Sequence, residues 1–563
     1  MTRRFVSVSL WFSVLLPCMQ AAPAMRTPIR GGRLVIAQKA EPKTLNPLLS
    51  RDIPSREVLG CLSADLISID RQTQTAEPVL AESWRVSPDG LHYTIKLRPG
   101  LHFSDGQPFD ADDVVFSFTV FLDDKVHAVQ RDPLIINGKL ITVVKLDART
   151  VRVDLPALYA PAERIFDSVP MLPRHLLERP YRDGKLSQVW NLNTKPESMA
   201  GMGPFRVKEY KAGEHILLER NPYYWKPHQP YLDELEFLFV GDEDAQIARF
   251  VSGETDILNR VSARNVGLLR ARGMTVQDLG PSLEYNVLVF NLTPQASPAA
   301  KEWFQQKAFR QAVSAAIDRD SIVQLVYGGL ASPLSGHVSP GNRAWVNANL
   351  PAAKQSLDRA KQLLKNSGFT WNDQGELHDR TGRRVEFTIA TAASSQERSA
   401  MAPLVQDDLK KLGMKVEIAS LEFRSMVDRV LNTHQYDTAI MGLGGGDPDP
   451  EFESNVWRSD GGMHIWNPGE TSPGSAWEAE IDKLMTEQAV ERSYPKRRKL
   501  YDQVQQIIAD EVPIICLASP HVLVAARPHV QNFRPVIFDH YTLWNVDELF
   551  IQQPKAKEQP TAR

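Results

Sequence analysis

The chain has 563 residues, of which 42% are hydrophobic and 24% charged, and its formal net charge at pH 7 is −3. This composition is typical of a globular protein with two or three domains and a large buried core. The sequence has no long stretch rich in lysine and arginine, so we do not expect it to bind nucleic acid.

The amino terminus has the features of an export signal. Arg3 and Arg4 precede an apolar run, Phe5–Leu16, and Ala22-Pro23-Ala24 is a small-x-small cleavage site. We therefore predict a signal peptide over residues 1–24. The apolar run is shorter than the roughly 20 residues that span a bilayer, and no other segment is longer. The mature chain is expected to be soluble and extracytoplasmic or periplasmic.

Three cysteines could be modified in an exported protein. Cys18 follows Pro17, which fits a lipoprotein signal badly, so a lipid anchor is not expected. Cys61 and Cys516 could form a disulfide in an oxidising compartment. Cys516 lies in the apolar segment PIICLA, which favours the alternative of a small buried hydrophobic side chain.

The run from Glu77 to Phe118 predicts a turn, a strand and a helix. Pro88-Asp89-Gly90 has turn chemistry, and Tyr93, Ile95 and Leu97 alternate with polar residues as in a half-buried strand. Asp110 is placed to cap the following helix, with Asp113 at the capping-box position. Farther on, Leu140–Lys145 and Val151–Leu155 predict a hairpin, so the region up to about Tyr210 is rich in strands.

After about Tyr285, strands and helices alternate. We predict the strands Val385–Ala390, Lys415–Ala419 and Tyr436–Leu443, a helix capped by Ser399 and ended by Gly413, and a second helix over Phe423–Leu431. Near the end we predict a helix over Tyr494–Asp510 and a strand over Pro513–Ala518. Strand–helix–strand units with short loops predict a parallel sheet in an α/β fold.

A parallel sheet predicts where a ligand would bind. Ligands of open α/β sheets lie outside the carboxyl ends of the strands. Here those ends are the loops Thr391–Gln396, Ser420–Glu422 and Gly444–Pro450. Although far apart in sequence, they are expected to converge on one edge.

The glycine-rich segment Gly442–Pro450 is the sharpest local feature. Glycine lets the backbone approach a ligand closely, and free N–H groups bind anions. It lacks the Lys-Ser/Thr of a nucleotide-binding P-loop, which argues against a nucleotide. A flexible turn after a strand is the competing interpretation.

No pattern predicts catalysis or a bound metal. No Gly-x-Ser-x-Gly motif is present, and the prolines beside Asp447 and Asp449 suit a rigid loop as well as carboxylate chemistry. The 13 histidines form no recognisable metal motif, so His434 and His464 are expected to be ordinary loop or surface residues. Neither a catalytic residue, a metal nor a cofactor is expected.

Five segments in order along the chain carry a family resemblance. They are residues 77–118, GMGPFRVKEYKAGEHILLERNPYYW at Gly201–Trp225, YLDELEFLFVGDEDAQIARFVSGETDI at Tyr231–Ile257, FRQAVSAAIDRDSIVQLVYGG at Phe309–Gly329, and residues 497–517. Together the chain resembles the substrate-binding subunits of family 5 ABC transporters, the peptide, nickel and oligosaccharide receptors. The resemblance implies the two-lobed fold of type II periplasmic binding proteins in its large family 5 variant, with an extra strand-rich subdomain and a hinged ligand cleft.

The resemblance also implies a division of the chain. The expected parts are the first lobe at residues 25–60, 200–280 and 512–550, its strand-rich subdomain at 61–199, the second lobe at 281–511 and a disordered tail at 551–563. Hinges are expected near Leu279–Asn286 and Val512–Ser519, and binding would close the lobes.

The family's peptide receptors carry an acidic residue for the ligand's α-amino group at a position that aligns with Gly446. Asp447 lies next to it. Dipeptide receptors place an arginine for the ligand carboxylate early in the preceding loop, where this chain has Ala392 and Ala393 with Arg398 beyond. Either Asp447 and Arg398 substitute, or the ligand is not a zwitterionic dipeptide, because an unpaired buried charge is costly.

The full set of expected ligand residues includes Arg51 and Asp52, placed by the resemblance on the opposite lobe, and Trp457, which could stack on a ligand. Surface pairing is the alternative for the first two, and core packing for Trp457, Trp466 and His464. The set is Arg51, Asp52, Arg398, Glu422, Leu443, Gly444, Gly445, Gly446, Asp447 and Trp457.

The function implied is capture of a peptide and its delivery to the permease of an ABC importer, by a protein expected to be a monomer. A receptor for an oligosaccharide, nickel chelate or other non-peptide solute is the alternative. The remaining alternative is that the protein is an exported hydrolase or a chaperone-like binder.

Overall fold

The structure, a computed structural model, describes residues 28–538 and 541–552. The predicted signal peptide, Cys18 and most of the predicted tail lie outside these residues. Across the described ranges, no helix combines the length and the apolar character needed to cross a bilayer.

Residues 28–281 form mostly short strands joined by a few helices. The strands are β1 (Arg33–Gln38), β2 (Ile67–Ile69), β3 (Ala76–Pro78), β4 (Ala81–Val86), β5 (His92–Leu97), β6 (Ile135–Ile136), β7 (Lys139–Leu140), β8 (Thr142–Asp147), β9 (Thr150–Asp154), β10 (Phe205–Lys211), β11 (His215–Arg220), β12 (Glu234–Phe239), β13 (Ile257–Leu258) and β14 (Val276–Pro281). The helices are α1 (Ile53–Leu62), α2 (Ala111–Leu122), α3 (Ala162–Ile165), α4 (Arg174–Arg182), α5 (Glu243–Ser252) and α6 (Ala263–Ala271).

Residues 285–552 are richer in helix. The strands are β15 (Tyr285–Phe290), β16 (Ala331–Pro333), β17 (Thr370–Trp371), β18 (Leu377–His378), β19 (Glu386–Ala392), β20 (Lys415–Leu421), β21 (Thr438–Leu443), β22 (Ile514–Ala526), β23 (Val530–Gln531) and β24 (Phe550–Ile551). The helices are α7 (Pro298–Phe304), α8 (Lys307–Ala316), α9 (Arg319–Tyr327), α10 (Leu357–Asn366), α11 (Gln396–Lys410), α12 (Phe423–Leu431), α13 (Ser454–Trp457), α14 (Ala476–Val490) and α15 (Tyr494–Glu511). The predicted α/β class is confirmed.

A four-stranded antiparallel sheet, β4-β5-β9-β8, with α2 packed against it forms what we call the subdomain. Its β5 buries Tyr93, Ile95 and Leu97, as the alternating pattern predicted. The predicted capping box is also confirmed. The Asp112 N–H donates to the Asp110 carboxylate at 2.8 Å, and the Asp110 N–H donates to Asp113 at 3.1 Å.

The first lobe is built on the sheet β10-β11-β12-β1-β13, in which β1 runs parallel to β12. The second lobe is built on β15-β21-β19-β20. In this sheet β19 is parallel to both β20 and β21, which confirms the predicted parallel units. The strand β15 runs antiparallel to β21, so the sheet is mixed.

The start of α11 differs from its prediction. Ser395, not Ser399, caps this helix, and its hydroxyl accepts from the Arg398 N–H. The expected cap at Ser399 was wrong because the strand before it is longer than predicted and its loop is shorter. The earlier start places Arg398 in the first turn of α11.

The long strand β22 joins the two lobes. Its first half pairs with β15 of the second lobe, and its second half pairs with β13 and β14 of the first lobe. The predicted strand end at Ala518 was wrong, because residues 521–526 find further partners on β13 and β14. A second crossing of the chain runs between β14 and β15, through residues 282–284.

Cys61 and Cys516 are both buried and carry free thiols. Cys61 packs in the core of the first lobe and Cys516 in a core of the second. The buried-thiol interpretation is confirmed for these two residues. Burial raises the pKa of the Cys516 thiol to about 12, so it is an inert packing group rather than a nucleophile.

We predict that Asp110→Ala lowers the free energy of unfolding by about 0.5–2 kcal/mol, because it removes the side-chain acceptor from the first turn of α2. Asp110→Asn keeps an acceptor at the cap and serves as the matched control. Urea unfolding followed by circular dichroism measures both. Equal losses in the two variants would contradict a capping role.

Candidate functional site

The carboxyl ends of three parallel strands meet at one edge of the second-lobe sheet. Ala392 at the end of β19 is directly beside Leu421 at the end of β20, and Thr391 is paired with Ile440 of β21. The three predicted loops therefore begin side by side. This edge is the candidate site, because ligands of open α/β sheets bind there.

The glycine segment after β21 packs tightly on one crossing of the chain and is open on its far side. Gly444 has φ 75°, and a Cβ there would lie 2.3 Å from the carbonyl oxygen of Leu283. Gly446 has φ 123° and would meet nothing within 4 Å. The segment thus needs glycine for its conformation, and it presents backbone to free space at Gly446.

The Asp447 side chain, next to Gly446, forms an ion pair. Its carboxylate accepts hydrogen bonds from Nη1 of Arg164 at 2.7 and 2.8 Å. Arg164 belongs to α3, which packs in the same core as the subdomain, so this ion pair joins the subdomain to the second lobe. Both side chains are largely buried. Arg164 was missed by sequence reasoning because it lies 283 residues away in the chain.

A second ion pair lies behind the first. Arg497 of α15 donates to both carboxylate oxygens of Asp449 at 2.6 Å, and both groups are buried. Nε of Arg164 also lies 3.9 Å from Asp449. Burial raises the pKa of Asp447 and the charge of Asp449 adds to this, while Arg164 opposes it. The two carboxylates and two guanidinium groups therefore form one network in which the negative and positive charges balance.

Other contacts bring the same two sides together. The Ala160 N–H donates to the Ala489 carbonyl at 2.7 Å, which joins the chain before α3 to the end of α14. A pocket lies against the glycine segment and has Gly445 and Asp447 in its lining. Its polar lining includes Tyr285, His337, Asp449 and Tyr501.

Several polar atoms at this edge are buried and unpartnered within the part of the chain that the structure describes. They are Tyr285 Oη, His337 Nδ1, Thr391 Oγ1 and Arg398 Nε. Burial also lowers the pKa of His337 to about 3, so its ring is neutral at physiological pH. Each unpartnered buried group costs about 1–3 kcal/mol. A solute or ordered water bound at this edge would supply their missing hydrogen bonds.

Arg398 lies across the end of β21. Its Nη1 donates to Oδ1 of Asn286 at 3.3 Å, and a Cβ at Gly442 would lie 2.8 Å from it. The glycine therefore makes room for the guanidinium. With Nε unpartnered, Arg398 has donor capacity for an anionic or carbonyl group at the sheet edge.

Three other predicted ligand residues, Glu422, Asp52 and Leu443, have structural partners. Glu422 caps α12, accepting from the Ser425 N–H, and Asp52 caps α1, accepting from the Ser55 N–H. Leu443, at the end of β21, is paired with Tyr285. Arg51 is exposed, and among the described residues no hydrogen bond or ion pair joins Arg51 or Asp52 to the glycine segment.

Trp457 is buried in the core and packs on His337, with ring centroids 3.9 Å apart. It reaches the pocket only through His337. His464 lies in a loop, as predicted, and is fully buried against Trp466. Its core-packing interpretation is therefore confirmed, and the surface interpretation is wrong for this residue.

Comparison with known proteins assigns this arrangement to a family. The model of the bacterial extracellular solute-binding proteins of family 5 matches residues 75–464. A "probable ABC transporter-binding protein" of Deinococcus radiodurans is 28% identical over 522 residues, covering 87% of each chain. The oligopeptide-binding protein AppA of Bacillus subtilis is 27% identical, covering 90% of each chain.

The structure of Bacillus subtilis AppA in complex with a nonapeptide superposes with a TM-score of 0.72. It shares 26% identity, and the alignment covers 94% of this chain and all of that one. The predicted two-lobed binding-protein fold and the family resemblance are confirmed.

The carboxyl group of Glu451, just after the glycine segment, predicts a pH effect. Burial, and then the charge of Asp449, raise its pKa to about 7. Because the folded pKa exceeds the unfolded value of about 4.3, its contribution to stability is full below that value and is lost as the pH rises through 7. We expect Glu451→Gln to raise the thermal midpoint more at pH 8 than at pH 5.

Differential scanning calorimetry at the two pH values measures this difference. Glu487→Gln, on α14 and with no comparable burial, is the control and should shift both midpoints alike. An equal effect of Glu451→Gln at pH 5 and pH 8 would contradict the raised pKa.

Proposed function

Because the chain belongs to the bacterial extracellular solute-binding proteins of family 5, we propose that it captures peptides and delivers them to the permease of an ABC importer. It acts outside the cytoplasm as a monomer, exported by the signal at residues 1–24. It binds without turnover, so neither a catalytic residue nor a cofactor takes part.

The unpartnered polar atoms at the sheet edge are the observation that carries this proposal. Tyr285 Oη, Thr391 Oγ1 and Arg398 Nε can serve the alternating donors and acceptors of a peptide backbone. The backbone groups at Gly446, beside which there is free space, are further hydrogen-bonding groups at this edge. If the protein recognises the backbone of the peptide, the side chains of the peptide can lie in pockets that contain water and accept different residues. The name of AppA and its nonapeptide complex agree with this solute class.

The ligand's termini would meet two charged groups. Asp447 suits an α-amino group, but it is paired with Arg164 in the structure. An incoming ammonium group would therefore compete with Arg164 for the same carboxylate. Arg398 suits the ligand's carboxylate or a backbone carbonyl, since it keeps a free Nε donor.

Closure of the lobes would complete the site. The two chain crossings, β22 and residues 282–284, are where the lobes can rotate. Arg164 and the chain before it lie on the side that moves against the glycine segment. A solute favours the closed state only by the extra contacts that it makes there.

A non-peptide solute is the second candidate, and the Arg164–Asp447 ion pair favours it. Where that pair stays intact, the Asp447 carboxylate is not free for an ammonium group. A sugar or a chelate would then bind through the neutral groups and Arg398 instead.

The protein from Met25 onward tests the two candidates directly. We expect the thermal midpoint to rise with peptides from dipeptides to nonapeptides, because a ligand that binds only the folded state stabilises it by about 2.7 kcal/mol at a hundredfold excess over Kd. A rise with oligosaccharides or nickel chelates and with no peptide would overturn the peptide proposal in favour of the second candidate.

Asp447→Asn is expected to weaken binding of a peptide with a free amino terminus about tenfold or more, since a hydrogen bond to a charged group contributes about 1.5–3 kcal/mol. The same peptide with an acetylated amino terminus should bind the variant and the parent protein alike. Isothermal titration calorimetry measures both.

Asp373→Asn, an exposed aspartate in the turn between β17 and β18, is the matched control and should change neither affinity. If Asp447→Asn weakens the free and the acetylated peptide equally, Asp447 acts only through Arg164. That result would remove the amino anchor from the proposal.

Arg398→Gln is expected to raise Kd by about tenfold for a peptide with a free carboxylate, on the same charge-assisted scale. Arg429→Gln, on the exposed face of α12, is its control. Amidation of the peptide's carboxyl terminus distinguishes two possible partners of Arg398, the terminal carboxylate and a backbone carbonyl. If amidation leaves the effect of Arg398→Gln unchanged, Arg398 contacts the peptide backbone rather than its terminus.

A further inference from the structure

A cluster of one histidine and two glutamates lies in the second lobe, away from the sheet edge. His464 follows α13, Glu470 lies on the loop before α14, and Glu478 is in the first turn of α14. One ligand atom from each side chain lies within 4.8 Å of the others. His464 is fully buried and Glu478 is buried.

The hydrogen bonding of His464 fixes the direction of its lone pair. Nδ1 lies 3.2 Å from the carbonyl oxygen of Val456. Since a carbonyl only accepts, Nδ1 carries the hydrogen. In the neutral ring, Nε2 is then an acceptor, and it points at two carboxylates.

These facing acceptors have no hydrogen bond between them. His464 Nε2 lies 3.5 Å from Glu470 Oε2 and 3.6 Å from Glu478 Oε1, which is too long for good hydrogen bonds. Within the described ranges, both Nε2 and Glu470 Oε2 are buried without a partner. Three electron-rich atoms that face one another in a buried place need a proton or a cation between them.

The two histidine–carboxylate distances fit a metal ion. Zinc binds histidine nitrogen and carboxylate oxygen at about 2.0–2.2 Å, which puts ligand atoms of a tetrahedral site about 3.3–3.6 Å apart, and the third pair of ligand atoms lies within 4.8 Å. The surroundings fit as well. Metal-bound histidines donate their other N–H to a carbonyl or carboxylate, as His464 does to Val456. Glu478 is itself oriented by Trp466 Nε1 at 3.1 Å and by the Ser475 hydroxyl at 2.8 Å.

We propose that His464, Glu470 and Glu478 bind a divalent cation of the zinc class, with water as the fourth ligand. One imidazole and two carboxylates are ligands that Zn²⁺ and Mn²⁺ accept. The ion has a structural role. It fastens the loop of residues 467–475 to α14 and holds Trp466, which packs on Trp457 and so on His337 at the pocket.

The test uses tag-free protein, stripped with a chelator and then dialysed against metal-free buffer. Titration with Zn²⁺, competing with a coloured chelator, should reach one equivalent and raise the thermal midpoint, while Mg²⁺ should not. Co²⁺ should give the strong visible absorption of a tetrahedral site. Elemental analysis of protein purified without chelator should find up to one equivalent of a transition metal.

Glu470→Gln is the main variant, because Glu470 is on a loop and only partly buried. It should weaken Zn²⁺ binding at least about 100-fold, which is beyond the loss seen when a residue hydrogen-bonded to a metal ligand is removed. Glu480→Gln, on α14 beyond Glu478 and ion-paired with Lys483, is the control and should bind like the parent protein.

His464→Gln removes the nitrogen ligand, but it can also disturb the core around Trp466. The proposal therefore depends on the parent protein and on Glu470→Gln. If the stripped parent protein binds no Zn²⁺ at one equivalent, or Glu470→Gln binds it as tightly, the proposal is overturned. A protonated His464 between the two carboxylates would then supply the charge.

Discussion

The rest of the structure depends on one strand that belongs to both lobes. The strand β22 pairs with β15 through its first half and with β13 and β14 through its second half, so backbone hydrogen bonds run from one lobe sheet into the other. Ser519 lies at the change of partner, with its hydroxyl 2.9 Å from the carbonyl oxygens of Ser282 and Glu284. The two crossings of the chain are thereby held side by side. Any rotation of the lobes has to be absorbed at this short stretch.

The glycine segment packs on the same stretch, which links the site to the crossing. Gly444 lies so close to the Leu283 carbonyl that no side chain fits there. Movement at residues 282–284 is therefore transmitted to the backbone beside Asp447. The ion pair from Asp447 to Arg164 adds an electrostatic contact across the cleft. Because both groups are largely buried, separating them costs free energy unless water or a solute replaces each partner.

Local patterns predicted local structure well. The alternation of apolar and polar residues predicted β5, and the capping box of Asp110 and Asp113 predicted the start of α2, because these patterns act over a few residues. The full length of β22 could not be predicted, since its second half is fixed by partners more than two hundred residues earlier. The site divides in the same way. The strand ends and glycine segment could be placed from sequence, but Arg164 and the buried His464 depend on tertiary packing.

The buried polar groups of the second lobe suggest a division of labour. Four unpartnered atoms lie at the sheet edge, where a solute would supply their hydrogen bonds, and two more belong to His464 and Glu470. Three aromatic side chains in contact, Trp466, Trp457 and His337, connect the two places. A cation at the His464 cluster would stiffen one end of this row of rings, and the pocket is at the other end. Rigidity behind the pocket matters because a preorganised wall loses less entropy when a solute binds.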